Sequence, residues 1–201
     1  MTSGGNMVNV VRFGLLGPLL VEHNGHQLTL PSPKQRTLLA ALLARPNQVV
    51  PVGELADIVW NRLPPASAVT TLRTHVKRLR RCLGQLGPDR ITTSSAGYLV
   101  RIEDAAELDI AAFTDGIHRG HSCMLDNDWA TAVGELRTAL GLWRGTPLSD
   151  VTGDYFGAAM IPDLRRIRSQ AEEWYVEATL ATYGVTESAG SRTYRFVLPI
   201  R

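Results

Sequence analysis

The sequence predicts a mixed fold: an N-terminal half of short strands and three helices, followed by an all-helical half. Three observations carry this prediction. Residues 10–102 alternate strand-like runs with helix-like periods, punctuated by Gly-Pro, Asn-Gly and Pro-Pro breaks. Beyond Glu103-Asp104 the apolar positions recur at steps of 3 and 4, the period of amphipathic helices. Charge changes sign near the same place: residues 1–101 hold 12 Lys/Arg against 4 Asp/Glu, a net +8, whereas the remainder holds 9 Arg against 15 acids, a net −6. The net +2 of the 201-residue chain therefore conceals a basic module joined to an acidic one. A chain that is 44% hydrophobic and 20% charged has enough apolar content for a core, which excludes wholesale disorder.

The elements follow in chain order. Val11–Leu15 and Leu19–Glu22 are short, partly alternating runs on either side of Gly17-Pro18 and read as strands. His23-Asn24-Gly25-His26 offers the Asn-Gly pair of a two-residue hairpin, with Gln27–Leu30 as the returning strand. Ser32-Pro33-Lys34-Gln35 reads as a helix start, with Ser32 as cap, Pro33 at the first position and Gln35 completing a capping box. Leu38, Leu39, Leu42 and Leu43 give that helix its buried stripe, and Pro46 stops it. A second helix is predicted over Val52–Trp60 with Leu55, Ile58 and Val59 inward. Pro64-Pro65 makes Asn61–Pro65 a loop. Ser67 and Gly84 bracket a third helix, and Ile91–Thr93 and Tyr98–Ile102 form a second hairpin around Ser94–Gly97. In the helical half, Asp109 is expected to cap a helix carrying Ile110, Phe113 and Ile117. Asp128 is expected to cap another, with Trp129, Val133, Leu136, Leu140 and Trp143 on one face. A long helix from Pro162 places Leu164, Ile167, Ala171, Trp174 and Ala178 inward. Such consecutive amphipathic helices predict a helical-hairpin array. Tyr194–Ile200 reads as a strand or as nothing ordered.

The third helix carries the chemistry. At about 100° per residue, Leu72, Val76, Leu79 and Leu83 share a narrow stripe. Thr70, Thr74, Lys77, Arg78 and Arg81 gather on the opposite side, with Arg73 and Arg80 on a flank. A leucine floor under a Thr/Lys/Arg roof suits the major groove, where hydroxyls and guanidinium forks read base edges and neighbouring cations neutralise phosphates. A merely solvated basic face is the alternative. Two helices before and a hairpin after give the order helix, helix, recognition helix, wing, which favours DNA recognition.

Thr71–Leu83 resembles the recognition helix of OmpR-type winged-helix domains. Together with Val11–Leu19 and Pro33–Leu43, it resembles the Streptomyces antibiotic regulatory protein family of transcriptional activators. Leu140–Leu148, with its Trp143-Arg144-Gly145-Thr146-Pro147 core, resembles the family's bacterial transcriptional activation domain, a module related to tetratricopeptide repeats. The resemblance covers about residues 10–183. It implies a winged helix-turn-helix domain over 10–102, after a flexible stretch over 1–9. It also implies a partial, tetratricopeptide-like activation domain over 103–184, leaving 185–201 unassigned. Thr70, Thr71, Arg73, Thr74, Lys77, Arg78 and Arg81 match the face that such helices present to the major groove. The loop holding Asn61, Arg62, Leu63, Pro64 and Pro65 matches the one these proteins turn towards RNA polymerase. The hairpin at Gly97-Tyr98 matches the minor-groove wing, but Ser94 and Ser95 stand where the family commonly has arginine.

The expectation is therefore a sequence-specific activator of a secondary-metabolite gene cluster. It would bind direct repeats of double-stranded promoter DNA as a side-by-side dimer and recruit polymerase through sigma or alpha subunits. A helical protein–protein adaptor, or a truncated regulator that has lost activation, is the alternative. The activation domain is expected to stop short of the family's further helices and so to be compromised or dependent on a partner. No catalytic residue and no cofactor are expected: the sequence has no Gly-rich phosphate loop, nucleophile elbow or His-Glu-x-x-His. His118, His121 and Cys123 lie close together but lack a second donor pair, so a metal site is not expected. His75 reads as a packing residue that bonds locally, and Trp129, Trp143 and Trp174 as core. Absence of an 18-residue apolar run or an export-type N-terminus predicts a cytoplasmic, nucleoid-associated protein without membrane contact, with Cys82 and Cys123 reduced.

Overall fold

The computed structural model describes residues 10–183. It begins with an antiparallel sheet of β1 (Val11–Gly14), β2 (Leu20–His23) and β3 (His26–Gln27). His23 pairs with His26 across the tight turn, where Asn24 and Gly25 take φ of 50° and 79°. Positive φ at both central positions is what the Asn-Gly pair supplies. The returning strand is shorter than expected: it ends at Gln27, before Leu28–Leu30.

Helices α1 (Pro33–Leu43), α2 (Val52–Val59) and α3 (Ala68–Cys82) follow, separated by the short strand β4 (Val50–Pro51). The leucine stripe of α1 is fully buried, as its spacing predicts. Its capping box does not form. Ser32 occupies the cap position without a side-chain bond, and Gln35 turns inward with its Oε1 unpartnered. Ser67 likewise sits at the α3 cap without a side-chain bond. The chain then forms the short helix α4 (Leu86–Arg90) and the hairpin β5 (Ile91–Thr93) and β6 (Gly97–Val100). Strand β4 pairs with β6, giving the sheet order β4-β6-β5. Three helices with a sheet hairpin after the third make the winged helix-turn-helix.

The helical half comprises a 3-10 turn (Ala105–Glu107), then α5 (Asp109–Leu125), α6 (Trp129–Leu140), α7 (Tyr155–Ala159) and α8 (Ile161–Thr182). Asp128 caps α6 through a 3.2 Å bond from the Thr131 N–H. The α6 face is rotated from the expected one. Ala132, Leu136 and Ala139 are its buried residues, while Trp129, Val133 and Leu140 are half-buried on the flank and Trp143 lies beyond the helix end. Small alanines allow α5, α6 and α8 to approach closely, and the larger side chains close the seams. Residues 184–201, including Tyr194–Ile200, lie outside the described residues.

The two halves are packed into one body. Leu108, Leu148 and Phe156 join the same buried cluster as Phe13, Leu38, Leu55 and Leu72 of the N-terminal half. Asp109 does not cap its own helix, where Leu108 takes the cap position. Its carboxylate instead accepts the Leu15 N–H at 2.8 Å and the Leu16 N–H at 2.9 Å. Arg144 bonds Asp109 at 3.2 Å and the Pro18 carbonyl at 2.7 Å. A Cβ at position 14 would fall 2.2 Å from the Arg144 guanidinium, so Gly14 is required for that approach. Asp150 accepts the Leu19 N–H at 2.7 Å and pairs with Arg36 at 3.4 Å. The connecting segment is strapped down as well. Asn47 makes paired 2.9 Å bonds with the backbone of Ile102, and buried Arg90 holds Glu107 through two bonds of 2.8 and 2.9 Å.

Candidate nucleic-acid interface

Helix α3 presents two chemically opposite sides. Leu72, Val76 and Leu79 are at most 1% exposed and lie in the main core, so the rotation of the helix is fixed. Thr70, Arg73, Thr74, Lys77, Arg78 and Arg81 are all exposed, and Thr71 is half-buried at the edge. The structure thus brings the expected groove-facing residues onto one open face. None of its four cations takes part in an ion pair within the described residues, so their charge is undiminished by internal carboxylates. Thr74 Oγ1 donates to the Thr70 carbonyl at 3.3 Å, which leaves its lone pairs facing out as acceptors.

Other cations of the basic half serve the fold. Arg36 and Arg90 are tied to carboxylates as described above. Arg45 bonds Glu54 and, at 2.6 Å, the Tyr155 hydroxyl of α7. That Arg45 contact holds the Glu54 carboxyl below its ordinary range. Net charge counted from the sequence therefore overstates the free positive charge, and what remains is concentrated on α3.

The wing turns at Ser94–Ala96, closed by the Ser94 N–H bonding the Gly97 carbonyl at 2.8 Å. Ser95 is exposed and Ser94 half-buried. Arg80 was expected only on a flank of the helix, yet it reaches the wing. Its Nε donates to the Ile91 carbonyl at 2.8 Å and its Nη2 to Thr93 Oγ1 at 2.9 Å. Helical periodicity carries no signal for such a contact, because its partners lie on a different element.

His75 departs from the expected local bonding. It is 9% exposed, its Nδ1 has no partner, and its ring lies 6.1 Å from that of Trp60. Burial, followed by the nearby charges of Lys34 and Arg78, lowers its pKa. His121 stacks on Trp174 at 4.3 Å, and no metal-binding cluster occurs among the described residues.

Between α2 and α3, the loop holds two successive left-handed residues, Asn61 at φ 49° and Arg62 at φ 65°. The Arg62 N–H bonds the Asp57 carbonyl at 2.7 Å, and Asn61 Oδ1 accepts the Asp154 N–H at 3.4 Å. This backbone projects Leu63, which is 83% exposed. Beside the loop runs a cleft of about 820 Å³ lined by Glu54, Asp57, Ile58, Arg62 and residues of α7.

Residues 25–100 match the family described as transcriptional regulatory protein, C terminal, and residues 108–195 match the bacterial transcriptional activator domain. The chain is 36% identical over 171 residues to the regulatory protein AfsR of Streptomyces griseus, covering 85% of this chain and 16% of that protein. It is 36% identical over 149 residues to the regulatory protein DnrI of Streptomyces peucetius, covering 70% of this chain and 54% of that one. The structure of Mycobacterium tuberculosis EmbR in complex with a low-affinity phosphopeptide superposes with a TM-score of 0.81 at 29% identity, covering 87% of this chain and 47% of EmbR. The chain thus spans a small fraction of AfsR and about half of DnrI. No helix among the described residues is long and apolar enough to cross a membrane.

Proposed function

Because the chain belongs to the Streptomyces antibiotic regulatory protein family, joining an OmpR-type DNA-binding domain to a bacterial transcriptional activator domain, we propose that it is a sequence-specific activator of transcription from the promoters of a secondary-metabolite gene cluster. The observation that carries this reading is the α3 face, where four uncompensated cations and two exposed threonines stand over a core-anchored stripe. Thr74 and Arg78 read base edges, while Lys77, Arg73 and Arg81 hold phosphates, with Thr70 and Thr71 at the helix start. Ser94 and Ser95 meet the backbone beside the adjacent minor groove through hydroxyls rather than charge.

Adjacent copies occupy direct repeats about one helical turn apart, side by side on one face of the duplex. Activation runs through Asn61, Arg62, Leu63, Pro64 and Pro65, which contact a sigma or alpha subunit of RNA polymerase. Two left-handed residues and two prolines restrict that loop before any partner docks, so little ordering entropy is lost on contact. Residues 10–102 thus carry both the DNA-binding face and this loop, and the acidic half over 103–184 joins the loop in the polymerase contact.

The test is footprinting on the DNA upstream of neighbouring biosynthetic genes, across a salt series. Counterion release gives a negative slope of log affinity against log salt. A protected direct repeat whose joint occupancy is lost on inserting half a turn supports the reading. Absence of salt-dependent protection refutes DNA binding, and unchanged joint occupancy after the insertion refutes the side-by-side arrangement.

A further inference from the structure

We propose that Arg80 is a positioning residue that fixes the wing against the recognition helix, so that both engage DNA together; this rests on the DNA-binding reading above. Strand β5 is the outer strand of its sheet. The bonds Arg101 N–H to Arg90 carbonyl and Ser94 N–H to Gly97 carbonyl mark residues 90 and 94 as facing β6. By the alternation of an antiparallel ladder, residue 92 faces β6 with them, and Ile91 and Thr93 turn their backbone groups to the open edge. Arg80 meets that edge twice, at the Ile91 carbonyl and the Thr93 hydroxyl. An arginine fork can satisfy two acceptors on one strand at once, and a single ammonium on a flexible stem does not reproduce that geometry.

Its place in the helix gives this contact its consequence. Arg80 is next to Arg81 and three residues after Lys77, both on the exposed α3 face. The same turn of helix thus supplies phosphate-facing cations on one side and the hold on the wing on the other. Both oxygens that Arg80 meets are uncharged, so the pairing does not depend on neutralising a carboxylate. Releasing it loosens the outer edge of β5 around Thr93 and the turn that follows, while β6 stays paired with β4 and α3 stays anchored by Leu72, Val76 and Leu79.

The experiment uses the full chain and a duplex that the unaltered chain selects from a random-sequence library, with hydroxyl-radical footprinting at saturating protein. In Arg80→Ala, protection of the minor groove flanking the site is expected to be lost while protection under α3 persists, with affinity falling about tenfold. Arg80→Lys keeps the charge and is expected to leave the salt slope at its unaltered value without restoring the flanking protection. Thr93→Val, which removes only the hydroxyl, is expected to weaken the flanking protection without changing the slope. Loss of slope in Arg80→Ala with flanking protection intact would make Arg80 a phosphate contact and overturn the proposal. Full rescue by Arg80→Lys would overturn it as well. If the unaltered chain selects no duplex, the DNA-binding reading itself fails; if it selects one and all three variants give its footprint, only the Arg80 assignment fails.

Discussion

Replacing Asp109 by alanine is expected to destabilise the whole chain, although the residue lies far from the recognition helix. Its carboxylate receives the backbone N–H groups of Leu15 and Leu16, two residues that are fully buried. Alanine leaves both donors without a partner in a place that water reaches poorly. An unsatisfied buried donor costs about 1–3 kcal/mol, so the pair amounts to about 2–5 kcal/mol after partial relaxation. The Arg144 charge adds little, because its side chain is 32% exposed and is screened by solvent. With a urea dependence of about 2 kcal/mol per molar, the unfolding midpoint should fall by about 1–2.5 M. Circular dichroism and tryptophan emission follow the transition, since Trp60 reports the N-terminal half and Trp129, Trp143 and Trp174 the helical one. Asp109→Asn retains one acceptor oxygen and should lose about half as much. Asp163→Ala is the control, an exposed residue paired with Arg166 at 3.9 Å. A midpoint for Asp109→Ala within about 0.3 M of that control would refute the assignment of Asp109 as the clamp between halves.

Three further outcomes are expected. Lys77→Ala should weaken binding to specific and random duplexes alike and reduce the salt slope by about one unit, whereas Arg78→Ala should cost about 1–3 kcal/mol on the specific site alone; equal losses for Arg78→Ala on both duplexes would remove it from base reading. Arg62→Ala and Leu63→Ala should leave promoter affinity within about threefold yet sharply reduce transcription with purified polymerase, and proportional loss of both would make the loop a structural connector. His75, with its lowered pKa, stays neutral in the folded chain at pH values where the unfolded chain already binds a proton. Its contribution to stability is therefore present above about pH 6.5 and lost as pH falls from there towards the folded pKa. His75→Leu should flatten the stability profile over that window, and an unchanged slope between about pH 7 and pH 5.5 would show that another group governs it.

Much of the N-terminal half is legible from periodicity. The stripe of α3 is one-sided, so burying it leaves only one orientation for Thr74, Lys77 and Arg78, whereas α1 is buried all round from Thr37 to Leu43. The Asn24-Gly25 turn is legible for a local reason, since few other pairs take two positive φ values. Elements of two to five residues, such as β4, α4 and α7, are too short to show a period, and they exist because neighbours hold them. Ser32 and Gln35 carry the capping pattern, but packing drew Gln35 inward. Asp109 misleads in the same way: an acidic residue before an apolar run reads as a cap, whereas its partners lie 93 and 94 residues away. Contacts at that distance, like Arg80 with the wing, leave no mark on local sequence. The division into two modules is visible in charge and period, and their shared core is not.

That shared core removes the usual freedom of a two-domain chain. The segment around residues 101–108 is pinned by Asn47 and Arg90, and the helical half is bonded to β1, α1 and the turn between β1 and β2. It cannot swing about a hinge to search for its target. For a chain that binds DNA as proposed, the compass bearing of the acidic half is then set by the site itself. Reversing a site end for end would aim that half at the opposite end of the promoter, and sliding it by one base pair would carry it about 34–36° around the duplex axis. Direction and phase along the DNA thereby become part of what a promoter must encode, alongside the bases that α3 reads.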